Sequence, residues 1–319
     1  MPTRPSSQPD VLACGVVARR VLGERHYLVR LPKHASCTAG HAMPLAVLIH
    51  CYGCQAGMEI SKFTAAADSL GFALAAPEGI GRSFHAPHCC GEALAERLDD
   101  VGLIDSIVDE LLAAAGKAGR PTFLASALFA SGFSNGGFLA THLADRSRHS
   151  WAALAPTAGH EYYLRRNVPL PISIHHCSGD QQVNTSGCCL APAEDGQMGP
   201  TCCCGIVAKT CVSTRSIFER WLVVNRCSGE RALPAPHSPS GAACAVGVGC
   251  TAETSLCLHA GCRHADWSRH FPAAEAVLAF FARQAPTLPA LSSHHHDSHG
   301  RVLRSGWQRH QRWMRAGQQ

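Results

Sequence analysis

The residues Ser131-Gly132-Phe133-Ser134-Asn135-Gly136-Gly137 set a hydroxyl among glycines at a spacing suited to nucleophilic chemistry. A charge-free apolar run over 122–130 precedes them and has the length of a buried strand, and 138–145 can wind as a helix. Gly132-x-Ser134-x-Gly136 between a strand and a helix has the form of a nucleophile elbow. The turn pushes the serine hydroxyl out of the sheet, and the glycines remove the β-carbons that would block so sharp a bend. The next backbone N–H, that of Asn135, then lies at a helix N-terminus, where it can meet a developing oxyanion. The plainer reading of the same residues is an ordinary Gly/Ser/Asn turn.

A serine nucleophile needs a base to take its proton and a carboxylate to orient that base. On an α/β-hydrolase sheet these follow in the order Ser, acid, His, and they lie past the carboxyl ends of strands. Asp180 closes the strand-like stretch Ile172-Ser-Ile-His-His-Cys-Ser-Gly-Asp180 and is the acid this rule selects. Asp145 lies on the helix after the elbow, and Glu161 and Glu194 have no strand leading into them. A turn-capping aspartate is the bland alternative for Asp180. His264 follows the last strand-like stretch and is the expected base, with His270 as competitor. His259 lies within that strand, and His294 to His299 sit in a low-complexity tail. The second oxyanion N–H is expected from Cys51 or Tyr52, in the loop His50-Cys51-Tyr52-Gly53 after an early apolar strand. His50 itself reads as a structural residue holding that loop.

These side chains need a sheet to carry them. Residues 26–31 alternate polar and apolar and predict an outer strand, and 44–50 form a continuous apolar run expected of a strand covered on both faces. Met58 to Leu70 fits a helix ended by Gly71, and 72–77 returns as a strand. Asp99 and Asp100 suit a helix N-terminus, and Val101, Ile104, Ile107, Val108, Leu111 and Leu112 then recur at helical steps. Strands are predicted at 151–155, 172–175 and 255–259, and helices at 214–226 and 272–284. Strands alternating with helices predict an α/β fold: a mainly parallel central sheet with helices on both faces. The economical organisation is an unordered arm over 1–10, an α/β-hydrolase domain over 11–285 and a polar His/Arg-rich tail over 286–319. Within the domain, 181–212 reads as a Gly/Cys-rich insertion.

Of the 319 residues, 46% are hydrophobic and 16% charged, so the chain can bury a sizeable core and does not read as disordered. Net charge is +5, but the positive residues are scattered or gathered in the last twenty positions, so neither a nucleic-acid nor a membrane partner is expected. No run reaches the length of a membrane span, and the first ten residues hold no apolar stretch of a signal peptide. The 18 cysteines point the other way, toward disulfides and an oxidising compartment.

Taken together the motifs resemble those of the esterases grouped with polyhydroxybutyrate depolymerases, which include feruloyl and acetylxylan esterases. The resemblance runs from about Arg25 to Phe281. It is carried by Arg25-His-Tyr27, His50-Cys-Tyr-Gly53, Ala76-Pro-Glu-Gly79, Asp99-Asp-Val-Gly-Leu-Ile104, Gly132-Phe-Ser-Asn-Gly-Gly137, Ser178-Gly-Asp180, Trp221-Leu-Val-Val-Asn-Arg-Cys227, and His264 with Trp267 and Phe271-Pro272 beyond. It implies Ser134 as nucleophile, Asp180 as acid and His264 as base of a carboxylic-ester hydrolase working through an acyl-enzyme. The substrates implied are small or oligomeric esters: hydroxyalkanoate oligomers, feruloyl or acetyl esters. The chain departs from the family pattern at Cys51, where glycine is usual, at Arg263 before the base, and in the spacing to Trp267. A catalytically impaired fold kept as a binding protein is therefore the alternative, and a peptidase or acyltransferase with the same triad a third.

The resemblance also implies a disulfide between Cys227 and Cys250, closing a loop of about two dozen residues and contributing on the order of 3 kcal/mol. Cys188-Cys189, Cys202-Cys203-Cys204 and Cys211 could make further bridges. Adjacent cysteines lack the two-to-four-residue spacing of zinc ligands, so neither a metal nor any other cofactor is expected. Asn184-Thr185-Ser186 is a glycosylation sequon, meaningful only on a secretory route.

Overall fold

The computed structural model describes residues 12–33, 42–86, 89–114, 122–159, 167–187, 212–233, 242–266 and 272–286. The 1–10 arm, residues 188–211 of the insertion and the tail after 286 lie outside them, as do Glu161, Glu194, Trp267, His270 and His294 to His299.

Ten strands form one sheet among the described residues: β1 (Val17–Leu22), β2 (Arg25–Arg30), β3 (Ala42–Ile49), β4 (Ala73–Pro77), β5 (Thr122–Phe133), β6 (Ala153–Thr157), β7 (Ile172–Cys177), β8 (Gly229–Leu233), β9 (Ala243–Val248) and β10 (Thr254–His259). Their order is β1-β2-β4-β3-β5-β6-β7-β10-β9-β8. The run from β4 to β10 is parallel, and antiparallel strands extend it at both ends.

The apolar strands are covered on both faces because alternate side chains enter different cores. Leu45, Val47 and Ile49 of β3 pack with α3 (Asp100–Ala114, which follows the short α2, Gly91–Ala95), α4 (Asn135–Arg146) and α5 (Thr214–Val224). Ala46 and Leu48 pack on the opposite face with α1 (Ala56–Leu70) and α6 (Ala273–Gln284). On β5 the same alternation sends Phe129 to the second face. There its ring stacks on Phe281 with centroids 4.8 Å apart and meets Phe72 edge-on at 5.7 Å. Burying one such ring stabilises the fold by about 1.5–3 kcal/mol.

Local signals set the element ends. Gly71 ends α1 at φ 78°, donating its N–H to Ala67 O, a conformation open to a residue without Cβ. Asp99 caps α3 by accepting the Gly102 N–H at 2.8 Å. Asp100 is buried, accepting from Arg25 Nη2 at 2.7 Å and from the His85 N–H at 2.6 Å. The pairing of β3 with β5 shifts between Met43 and Leu45, where Pro44 has no N–H to give the ladder.

The stretch 26–31 is not outermost, since β1 pairs along its free edge. β1, β8 and β9 are strands that the sequence pattern does not predict: charges interrupt β1 and β8, and β9 is a run of small apolar residues with a glycine. The expected strand at 151–155 begins two residues later, at Ala153, and the one ending at 130 runs on to Phe133. Residues 181–183, the start of the expected insertion, fold back on Asp180, whose carboxylate accepts from the Gln182 and Val183 N–H groups.

Candidate active site

β5 delivers Ser134 directly into α4. The residue holds φ 55°, ψ −117°, a conformation that costs an ordinary residue on the order of 1–3 kcal/mol and persists only where neighbours enforce it. The enforcement is visible: the Ser134 N–H donates to Thr157 O at 2.9 Å, and its carbonyl accepts from the Phe138 N–H at 3.0 Å. A β-carbon on Gly132 would collide with the Gly136 carbonyl, and one on Gly136 with the carbonyls of Ile49 and His50. The second contact packs the start of α4 against the end of β3, which brings the loop at Cys51 and Tyr52 beside the elbow.

The three residues singled out as Ser, acid and His come together. His264 opens a short 3-10 turn after β10 (His264–Asp266). Its Nε2 lies 2.9 Å from Ser134 Oγ and its Nδ1 2.6 Å from Asp180 Oδ2. A carboxylate can only accept, so Nδ1 carries the hydrogen and Nε2 is left to accept from the serine hydroxyl. Phe133 lies against the imidazole, centroids 4.8 Å apart. Asp180 Oδ1 accepts from the Gln182 and Val183 N–H groups at 2.9 and 2.8 Å. Burial disfavours its charge, but hydrogen bonds from His176 and His264 outweigh it and hold the carboxyl well below the usual carboxylate range.

The other candidates sit elsewhere. Asp145 is near the C-terminal end of α4. His259 lies inside β10, its Nε2 3.2 Å from His175 Nδ1 on the neighbouring strand. Burial, and then the neighbouring imidazole, push His175 down to about 3, and burial pushes His259 down to about 4. His50 is buried and bonds within its loop: Nδ1 donates to Cys51 O at 2.8 Å and Nε2 accepts from the Gly79 N–H at 3.0 Å. Burial lowers its affinity for a second proton.

Cys51 is bonded to Cys54, and the Gly53 N–H between them donates to Arg82 O at 2.8 Å. The side chain standing in place of glycine is thus tied back within its own loop. Tyr52 is 48% exposed, so its ring stands at the rim. Asn135 supplies the first amide of α4, which has no intrahelical partner. Its buried side chain is otherwise engaged, accepting from the Phe84 N–H at 2.7 Å and donating to Phe84 O and Cys89 O at 3.0 and 3.3 Å.

Two features near the site had no counterpart in the sequence reading. A disulfide joins Cys177 at the end of β7 to Cys262, two residues before His264. His176 reaches the acid from behind, with Nε2 3.2 Å from Asp180 Oδ2. A histidine four residues before a candidate acid, at the end of an apolar strand, was the available signal. Cys227 and Cys250 are bonded, as the resemblance implies, with Cys250 in the turn between β9 and β10. Cys244 and Cys257, directly opposite on β9 and β10, form a further bridge. No group of three or more His, Cys, Asp or Glu side chains suited to a metal occurs among the described residues.

An acetyl xylan esterase from Aspergillus awamori superimposes with a TM-score of 0.51 over 78% of this chain and 94% of that one, at 11% identity. The fold is that of the α/β-hydrolases. Ser134 stands at the turn from β5 into α4, Asp180 follows β7 and His264 follows β10. By sequence the chain is similar to the "Putative esterase NocK" of Nocardia uniformis subsp. tsuyamanensis, 28% identical over 257 residues, covering 76% of this chain and 71% of that protein. No protein-family model matches the chain.

Proposed function

We propose that this α/β-hydrolase is a serine carboxylic-ester hydrolase with Ser134 as nucleophile, His264 as general base and Asp180 as the orienting acid. The observation that carries the reading is the unbroken series of hydrogen bonds from Ser134 Oγ through His264 to Asp180 Oδ2, at 2.9 and 2.6 Å. His264 Nε2 takes the hydroxyl proton as Oγ attacks the ester carbonyl. The carbonyl oxygen becomes an oxyanion, held by the N–H of Asn135 and by one from the Cys51–Tyr52 loop. Collapse breaks the bond to the alcohol oxygen, which leaves with the proton carried by His264, and Ser134 is left acylated. Water repeats the sequence: it gives a proton to Nε2 as its oxygen attacks the acyl carbonyl, and collapse breaks the acyl–Oγ bond, frees the acid and returns the proton from Nε2 to Ser134 Oγ. Asp180 keeps Nδ1–H directed throughout and stabilises the transient imidazolium.

The name of the Nocardia relative agrees with ester hydrolysis. The motif resemblance favours short acyl or aryl esters of the acetyl and feruloyl kind, or hydroxyalkanoate oligomers, within the polyhydroxybutyrate depolymerase and feruloyl esterase group. Purified protein should hydrolyse p-nitrophenyl acetate or butyrate and bind a fluorophosphonate covalently, and Ser134→Ala should lose both. Turnover by Ser134→Ala near the wild-type rate ends the assignment. A wild type that neither turns over esters nor labels favours the binding-protein alternative.

A further inference from the structure

The mechanism above leaves unused a buried histidine that touches the acid. His176 is 1% exposed, and both of its ring nitrogens are engaged. Nε2 lies 2.7 Å from Val183 O and 3.2 Å from Asp180 Oδ2, while Nδ1 lies 3.0 Å from Thr214 Oγ1. The two atoms facing Nε2 are acceptors only, so Nε2 carries the hydrogen and divides it between them. Nδ1 then accepts from the Thr214 hydroxyl, which fixes the ring about its long axis. Thr214 is itself held as the first residue of α5, donating its N–H to Thr185 O at 2.9 Å.

We propose that His176, oriented by Thr214, is a positioning residue for the ester hydrolysis assigned to Ser134, acting through Asp180. The inference rests on that assignment. Its physical content is the order in which the carboxylate's bonds are fixed. Two backbone N–H groups hold Oδ1 and His176 holds Oδ2, so three donors orient Asp180 without reference to His264. The acid is therefore aimed at Nδ1 before the base is engaged, and it stays aimed while the imidazole gains and loses a proton. A carboxylate holding four hydrogen bonds is also a weak proton acceptor. The Nδ1 hydrogen accordingly remains on His264 when the imidazolium forms, as the mechanism requires. The bond from Nε2 to Val183 O adds a second restraint, pinning the turn whose N–H groups hold Oδ1.

Three variants test this with p-nitrophenyl acetate. His176→Leu fills the space with no donor and should lower kcat roughly tenfold or more, as loss of a hydrogen bond to a charged group does, with KM within about twofold. His176→Gln can place an amide N–H near the position of Nε2 and should recover most of the loss. Thr214→Val keeps the imidazole but frees its rotation, and should lower kcat about threefold at unchanged KM. Fluorophosphonate labelling rates should follow kcat in each case. A folded His176→Leu protein with wild-type kcat overturns the proposal, as does a His176→Gln variant no better than leucine. Should His176→Leu fail to fold, Thr214→Val decides, and unaltered kcat overturns the proposal. A wild type inert to both ester and fluorophosphonate would instead overturn the hydrolase assignment, so the two failures are distinct.

Discussion

Acid should unfold this protein through a pair of histidines that takes no part in the proposed chemistry. His175 and His259 sit side by side on β7 and β10, both buried, their nitrogens 3.2 Å apart. Their affinities for a proton are lowered to about 3 and about 4 from an unfolded value of 6.5. A depressed histidine is neutral in the folded state while the unfolded chain binds a proton, so stability is present above pH 6.5 and is lost as pH falls toward the folded values. Between pH 7 and pH 4.5 the unfolded chain gains about three quarters of a proton at each position. Folded His175 gains almost none and folded His259 about a quarter. Integration gives a loss of about 2–3 kcal/mol at each histidine, on the order of 5 kcal/mol together. That is a large part of the stability of an ordinary domain. Asp180, with its depressed carboxyl, contributes the same sign only below the ordinary carboxylate value, outside this window. His26 and His50 are lowered by burial too and slope the same way. The informative quantity is therefore the difference between wild type and a His175→Gln/His259→Gln double variant. Urea unfolding followed by tryptophan fluorescence at half-unit steps of pH should show a shallower slope in the double variant, by about 5 kcal/mol over the window. Parallel slopes in the two proteins would refute the reasoning, whatever their absolute stabilities.

Two further outcomes concern the frame of the site. Gly136→Ala should abolish ester turnover, by at least about a hundredfold, because its methyl group would drive α4 away from the Ile49 and His50 carbonyls. Gly57→Ala, inside α1 with only Leu28 Cδ1 at 3.8 Å, should instead stabilise the fold by about 0.5–1 kcal/mol in thermal unfolding. A tolerated Gly136→Ala would mean that the elbow does not depend on that contact. Removing the Cys177–Cys262 bond as Cys177→Ala/Cys262→Ala opens a span of 85 residues and should lower unfolding stability by about 4–5 kcal/mol. A fall in kcat should accompany it, because the bond joins the segments carrying acid and base. Unchanged melting and unchanged kcat would remove it from the frame.

The parallel core of the sheet was legible in the sequence because strands buried on both faces must be apolar throughout, as at 44–50 and 122–130. β1 and β8 escaped because charges interrupt them, Val-Ala-Arg-Arg-Val-Leu and Gly-Glu-Arg-Ala-Leu, and β9 because its apolar run Ala-Cys-Ala-Val-Gly-Val is built of small residues and a glycine, which favour strands weakly. Ser134, Asp180 and His264 could be placed by chain order and strand ends alone, since topology fixes where such residues must lie. The disulfides at Cys51 and Cys177, and the approach of His176 to the acid, depend on side-chain direction at the ends of strands, which spacing does not encode. Several residues of the recognised motifs are braces rather than chemical groups. Arg25 pairs with Asp100, and Asn225 clasps both backbone groups of Leu170 while donating to Thr254 Oγ1 at 2.7 Å.

Asp180 and His264, the proposed acid and base, are far apart along the polypeptide yet neighbours on the sheet, because Cys177 and His259 are register partners on β7 and β10. Their separation is set by one strand spacing and one covalent cross-link, not by the length of what runs between them. Doubling that intervening polypeptide would cost only about 0.6 kcal/mol in loop closure and would leave the imidazole and carboxylate where they are. Sequence added between those strands at points clear of the Asp180–Val183 turn and of α5, whose Thr214 holds His176, thus leaves the proton path unchanged.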